Sequence, residues 1–148
     1  MYENGLKLRL ITMDDANLLY NWRNDSLTRM QSHFPLIVNW NEHISWLKST
    51  LKNPLRTIYI AEKSSIPVGT VRADKLESSY ELSWTVAPHA RKQGVAKQMV
   101  ALLANSIQSP ICAEIKKSNK ASVSVAEYVG MSLVRQSEDV LFYARGAL

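Results

Sequence analysis

The segment from Tyr80 to Ile115 limits what this chain can fold into more than any other stretch. In Tyr80 to Val86 (YELSWTV), Tyr80, Leu82, Trp84 and Val86 fall on one side and Glu81, Ser83 and Thr85 on the other, the period-two pattern of a strand with one apolar face. From Gln93 to about Gln108 the period changes: Val95, Met99, Leu102, Leu103 and Ile107 form a single stripe, as an amphipathic helix requires. Ser109-Pro110 ends that helix, and Ile111 to Ile115 is a short apolar strand. Strand, helix and strand in this order make a crossover unit, and open α/β sheets bind ligands at the carboxyl ends of their strands. The turn after Val86 is therefore the first place to look for a site.

The remaining segments build a sheet around that unit. Leu6 to Ile11 alternates as a strand, Thr12 with Asp14 and Asp15 marks a helix start, and Leu18, Leu19 and Trp22 carry the helix to about Arg23. Asn24-Asp25-Ser26 reads as a turn, and the stretch through Phe34-Pro35 as irregular. Ile44, Leu47 and Leu51 predict a helix over Asn41 to Leu51, closed by Asn53-Pro54. Thr57 to Glu62 and Pro67 to Arg72 are strands joined at Ser64-Ser65. Lys120 to Val129 is a helix stopped by Gly130, followed by strands around Leu133 to Arg135 and Leu141 to Ala144. The sum is a mixed α/β sheet with helices on its faces. With 148 residues, 46% hydrophobic and 21% charged, the chain suits one domain over 1–148 that buries a sizeable core.

Charge and composition narrow the function classes. Eighteen Lys and Arg against thirteen Asp and Glu give +5 and a pI near 9.4, which favours an anionic ligand. The basic residues are scattered, without the arginine-rich helix or aromatic signature of a nucleic-acid binder, so no nucleic-acid partner is expected. No apolar run reaches the ~18 to 20 residues that cross a bilayer, and the start lacks a signal-peptide pattern. The expectation is a cytoplasmic protein, monomer or homodimer, that makes no membrane contact. The single cysteine, Cys112, lies in an apolar stretch and reads as a buried, inert thiol. His33 and His89 have no metal-ligand spacing with other His, Cys or acidic residues, and no metal is expected.

The loop between the central strand and helix runs Ala87-Pro88-His89-Ala90-Arg91-Lys92-Gln93-Gly94-Val95-Ala96. A helix start leaves backbone N–H groups unpaired and carries partial positive charge, so it holds a phosphate anion. Gly94 lets the main chain approach such a ligand, Ala96 keeps the approach open, and Arg91, Lys92 and Lys97 add charge. Arg91-x-x-Gly94-x-Ala96 after a strand resembles the acetyl-CoA loop of the GNAT superfamily. The resemblance implies a GNAT-like mixed, largely antiparallel sheet of about six to seven strands flanked by about four helices. It also implies acetyl-CoA as cofactor, with its diphosphate held by Arg91, Lys92, Gln93, Gly94, Val95, Ala96 and Lys97.

A second stretch resembles the same superfamily. Asn119-Lys120-Ala121-Ser122, with the helix end at Gly130-Met131, is similar to the motif in which an asparagine starting a helix contacts the pantetheine arm. That role passes to Asn119, with Ser122 beside it. Family members commonly carry a tyrosine general acid where this chain has Ala126. Tyr128 comes two residues later, about 200° around a helix, which leaves another tyrosine or water to protonate the departing sulfur, or the member slow or inactive. In the family a splayed strand leaves a backbone N–H free near Val86 for the thioester carbonyl, and attack is direct, without a covalent enzyme intermediate. Glu81, on the polar face of the same strand, is the candidate base, and Tyr128 the remaining candidate acid.

The first half carries Trp22-Arg23-Asn24-Asp25, Arg29, Glu42-His43 and Trp46. This order resembles GNAT enzymes that acetylate nucleotide-linked amino sugars, including those of the pseudaminic acid route. The implied acceptor is a small, anionic amine, with Arg23 and Arg29 as anion partners, Trp22 and Trp46 as stacking surfaces, and His43 as a base or substrate ligand. As an unremarkable helix residue, His43 would instead be exposed to solvent. The alternatives are a protein N-terminal acetyltransferase of the ribosomal-protein type and a non-catalytic acyl-CoA-binding module.

Overall fold

A computed structural model describes residues 1–146. Along the chain come β1 (Tyr2–Glu3), β2 (Leu6–Leu10), a 3-10 turn at Met13–Asp15, α1 (Ala16–Asn24), α2 (Ser26–Gln31) and α3 (Trp40–Lys52). They are followed by β3 (Arg56–Lys63), β4 (Ile66–Lys75), β5 (Tyr80–Val86), α4 (Val95–Ser106) and β6 (Ile111–Lys116). α5 (Lys120–Tyr128), β7 (Ser132–Gln136) and β8 (Val140–Arg145) complete the fold. The strands form an 8-stranded sheet in the order β1-β2-β3-β4-β5-β6-β8-β7. Every neighbouring pair is antiparallel except β5 with β6.

Three expectations need correction. The added strand, β1, comes from a hairpin at Asn4-Gly5, both with positive φ (51° and 82°), the conformation a two-residue turn of this type demands. The added helix, α2, occupies part of the stretch expected to be irregular. Asp25 caps it by accepting from the Thr28 N–H at 3.0 Å, and none of its residues is buried, so no apolar stripe announces it. The third is the start of α4, at Val95 rather than Gln93, because Lys92 and Gly94 adopt left-handed conformations (φ 61° and 75°) that no α-helix accommodates.

The two faces of the sheet do different work. On β4, Gly69, Val71 and Ala73 face α4; on β5 their register partners Val86, Trp84 and Leu82 share that face. Leu82, Val71, Met99 and Val95 are almost wholly inaccessible there, and the apolar stripe read from the sequence is what buries α4. Thr70, Arg72 and Asp74 lie on the opposite face with Thr85, Ser83 and Glu81, where α1 and α3 pack against each other. The helices therefore seal the first face with apolar contacts and leave the second face of β5 half-open.

α5 ends as the sequence predicts. Gly130 (φ 89°) donates to the Glu127 carbonyl at 3.0 Å and Met131 to that of Ala126 at 2.9 Å, a Schellman motif. Arg145 of β8 then donates to the Val129 and Ala104 carbonyls, both at 2.9 Å, tying the ends of α5 and α4 together.

Gly69 sets how close α4 comes to the sheet. A Cβ there would stand 2.7 Å from the Thr85 carbonyl oxygen and 2.9 Å from the Met99 sulfur, and a main-chain oxygen in a paired strand cannot retreat. Gly69→Ala is expected to destabilise the protein by about 1–3 kcal/mol, read as a lower urea midpoint with unchanged slope.

Candidate active site

The parallel pairing of β5 with β6 is short: Tyr80 is matched with Ile111 and Glu81 with Cys112, and the ladder stops there. β5 continues to Val86 while β6 continues to Lys116, so the strands part beyond Glu81. The Tyr80 N–H donates to the Pro110 carbonyl on the β6 side at 3.0 Å, whereas the Ala87 N–H donates to Val68 on the β4 side at 2.8 Å. Successive residues of a strand point their main-chain groups to alternate sides. The N–H groups of Trp84 and Val86 therefore point into the gap where β6 has moved away.

The loop after Val86 leads to a helix start that no side chain caps. The first main-chain bond across it runs from the Gln98 N–H to the Gly94 carbonyl at 3.2 Å, leaving the amides of the first turn without helical partners. Gly94 has φ 75° and a Cβ there would meet nothing within 4 Å: the glycine is required by conformation, and the space beside it is open. Ala96 is half-buried in the same turn, and Lys92 and Gln93 are exposed beside it. The arrangement has the donors and the space that suit an anion cradle, supplied mainly by backbone.

Arg91 departs from the expected role. Its Nη2 donates to the Asp25 carboxylate and, at 3.3 Å, to the Thr28 hydroxyl, so the guanidinium braces the loop against the start of α2. Asn119 Oδ1 accepts from the Ser122 amide at 3.2 Å and caps α5, with both side chains half-buried.

On the half-open face, Glu81 lies beside Arg72 and Ser83. Its own burial, together with the negative charges of Glu114 and Asp74, holds its carboxyl above the usual range, with Arg72 opposing. Arg23 lies over the Trp46 ring at 4.8 Å. Its Nη1 is buried without a partner, and burial lowers its affinity for the proton, with Glu42 opposing and Arg72 adding to the effect. His33 Nε2 comes within 3.8 Å of Glu114.

Other expected site residues lie elsewhere. Trp22 is core, 7% exposed. Arg29 spends its donors on the carbonyls of Asn24 and Pro35, both at 3.2 Å. His43 is neither exposed nor free: it is fully buried, bonded through Nε2 to the Ala16 carbonyl at 2.8 Å and packed among Tyr20, Trp40 and Trp46. Tyr128 is 61% exposed on α5, its ring 5.5 Å from the Lys97 ammonium, while Ala126 is fully buried. Since Ile111, Ala113 and Ile115 are buried between β6 and the α4–α5 layer, Tyr128 and Glu81 stand on opposite sides of the sheet. Asn24 clamps Val38 by two hydrogen bonds, at 3.0 and 2.9 Å.

The Acetyltransferase (GNAT) domain family matches residues 6–132. The chain belongs to the GNAT acetyltransferase family. Solved structures share its fold. A spermidine N-acetyltransferase from Vibrio cholerae, solved with CoA and spermine, superposes with a TM-score of 0.86 at 15% identity, covering 97% of this chain and 96% of that one. RimL, a ribosomal L7/L12 alpha-N-protein acetyltransferase solved with coenzyme A, gives 0.84 at 17% identity over 97% and 94%. The aminoglycoside acetyltransferase AAC(6')-Ib, also with coenzyme A, gives 0.80 at 17% over 95% and 94%. No curated protein matches by sequence.

The GNAT assignment makes this an acetyl-CoA-dependent N-acetyltransferase. The cradle fits that cofactor, since unpartnered amides and open space at Gly94 suit a diphosphate. Among the described residues no helix is long and apolar enough to cross a membrane, and no His, Cys, Asp and Glu group has the arrangement to hold a metal ion.

Two outcomes are expected. Gly94→Ala places a side chain at φ 75°, a conformation costing about 1–2 kcal/mol, and should weaken coenzyme A binding about tenfold by calorimetry. For His43, burial lowers the folded pKa, so the unfolded chain takes up the proton first. Stability is then complete above the ordinary histidine value and falls as pH drops below it. The melting temperature of the native protein should fall more between pH 7.5 and 5.5 than that of His43→Phe.

Proposed function

We propose that this enzyme acetylates the primary amine of a small anionic acceptor, a nucleotide-linked amino sugar being the chemistry that fits best, by direct attack within a single domain over 1–148. The carrying observation is the parting of β5 from β6 at Glu81, which puts a carboxylate, two outward amides and the coenzyme loop on one strand and its continuation. Acetyl-CoA supplies an activated thioester. Arg91, Lys92, Gln93, Gly94, Val95, Ala96 and Lys97 form the diphosphate end of its site, the amides of the helix start as donors and Arg91 as the brace behind them. Asn119 and Ser122 flank the pantetheine arm, and the Val86 N–H donates to the thioester carbonyl oxygen as charge gathers on it.

Glu81 takes the proton that makes the acceptor amine nucleophilic. Its raised pKa makes it a stronger base than an ordinary carboxylate. Arg23 receives the acceptor's anionic group: its unpartnered Nη1 and its stacking on Trp46 favour a fixed, planar anion site. With Ala126 buried and Tyr128 at the outer surface, solvent protonates the departing sulfur, a modest demand for a thiol of ordinary pKa about 8.5.

Glu81→Gln is expected to lower kcat/KM by about 10²–10⁴ and to erase the acidic limb of its pH profile; an unchanged profile removes Glu81 as base. Release of free coenzyme A is to be followed with nucleotide-linked amino sugars, with peptide N-termini and with no acceptor. Turnover with the sugars alone supports the assignment. Turnover with peptides replaces it with the ribosomal-protein type, and binding without turnover makes the protein an acyl-CoA-binding module.

A further inference from the structure

Asp25 and Arg91 are 66 residues apart in the chain, yet their ion pair joins the coenzyme loop to the start of α2. The same Asp25 oxygen accepts from the Thr28 N–H at 3.0 Å and hydroxyl at 3.2 Å, and the Arg91 hydrogen bond, with further help from Thr28, holds the carboxyl below its usual range despite partial burial. It is charged at any working pH. At the other end of α2, Lys116 of β6 donates to the Met30 carbonyl at 3.0 Å, and Glu114 of β6 faces His33. Arg29, bonded to the Asn24 and Pro35 carbonyls, and Asn24, clamped on Val38, tie the chain beyond these anchors back to the end of α1.

Residues 25–33 thus form a strap tied at one end to the loop that follows β5 and at the other to β6, the two strands that part. No residue of α2 is buried, so polar ties hold the strap where a core would otherwise hold it. The face beneath carries Glu81, Cys112 and Glu114, which alternation and register put on one side of β5 and β6.

We infer that Asp25 is a positioning residue: acting through Arg91, it locks the coenzyme loop and the strap over the Glu81 face into one relation, so that donor and acceptor meet in register. This rests on the reading of that face as the acceptor side. Asp25 touches neither reactant. Its loss loosens the loop, which weakens donor binding, and lifts the strap, which exposes what lies beneath.

Cys112 is the single cysteine and half-buried, so its labelling rate reports the strap without any acceptor. Asp25→Asn is expected to raise the Kd for coenzyme A about tenfold, to speed Cys112 labelling by a neutral thiol reagent about tenfold, and to leave the urea slope unchanged; Asp25→Glu should recover most of both effects. Arg91→Met combined with Asp25→Asn should be no worse than either alone, as for two halves of one contact. Lys116→Met, which cuts only the far tie, should speed labelling while leaving coenzyme A affinity unchanged, and it serves where Asp25→Asn does not fold. Unchanged labelling in either variant, additive losses in the pair, or tighter coenzyme A binding by Asp25→Asn would overturn the proposal. None of these measurements uses an acceptor or the Glu81 pH profile, so a failure of the acceptor assignment is seen separately.

Discussion

The whole site depends on one interrupted interaction, the parallel ladder between β5 and β6. Its matched pairs, Tyr80 with Ile111 and Glu81 with Cys112, hold the two antiparallel halves of the sheet together. Beyond them the strands carry unpaired main-chain groups that would be costly to bury without partners. A reactant that accepts hydrogen bonds relieves that cost. The same parting turns the loop after Val86 and the start of α4 toward the gap, so the defect in the sheet and the anion cradle have one geometric origin.

Much of this was legible in the sequence because apolar periodicity reports burial. YELSWTV gave β5 with its limits as found, and the stripe Val95, Met99, Leu103 gave the buried side of α4. Gly130 gave the end of α5, since few residues other than glycine adopt φ 89° readily. The glycine-led helix start was legible because a glycine after a strand expresses a backbone requirement. What escaped was set by polar contacts across long sequence distance. α2 is held by Arg91 and Lys116, which leave no local pattern, and its cap, Asp25, is a local signal that no apolar stripe reinforces. β1 is a different omission, for Asn4-Gly5 is itself a hairpin signal.

The candidate site residues divide along the same line. Local chemistry pointed to the loop that leads into α4, and Arg23 lies over the Trp46 ring. His43, Arg29 and Arg91 have side chains whose partners sit on other elements: the Ala16 carbonyl, the Asn24 and Pro35 carbonyls, and Asp25. A charged or ring side chain near a site reads the same in sequence whether it faces a ligand or the protein's own main chain. Only the fold tells which donors are already engaged.

The strand order β6-β8-β7 has a further consequence. β7 precedes β8 in the chain but touches the sheet only through it, and every residue of β7 is exposed. β8 is therefore the keystone of its half of the molecule, inserted between two strands made before it and, through Arg145, closing the helix layer above. A chain shortened before Val140 would leave β7 detached, the outer edge of β6 bare, and the carbonyls at the ends of α4 and α5 without their shared cap. The last strand of this half is therefore a poor place for truncation or for any insertion that interrupts the pairing.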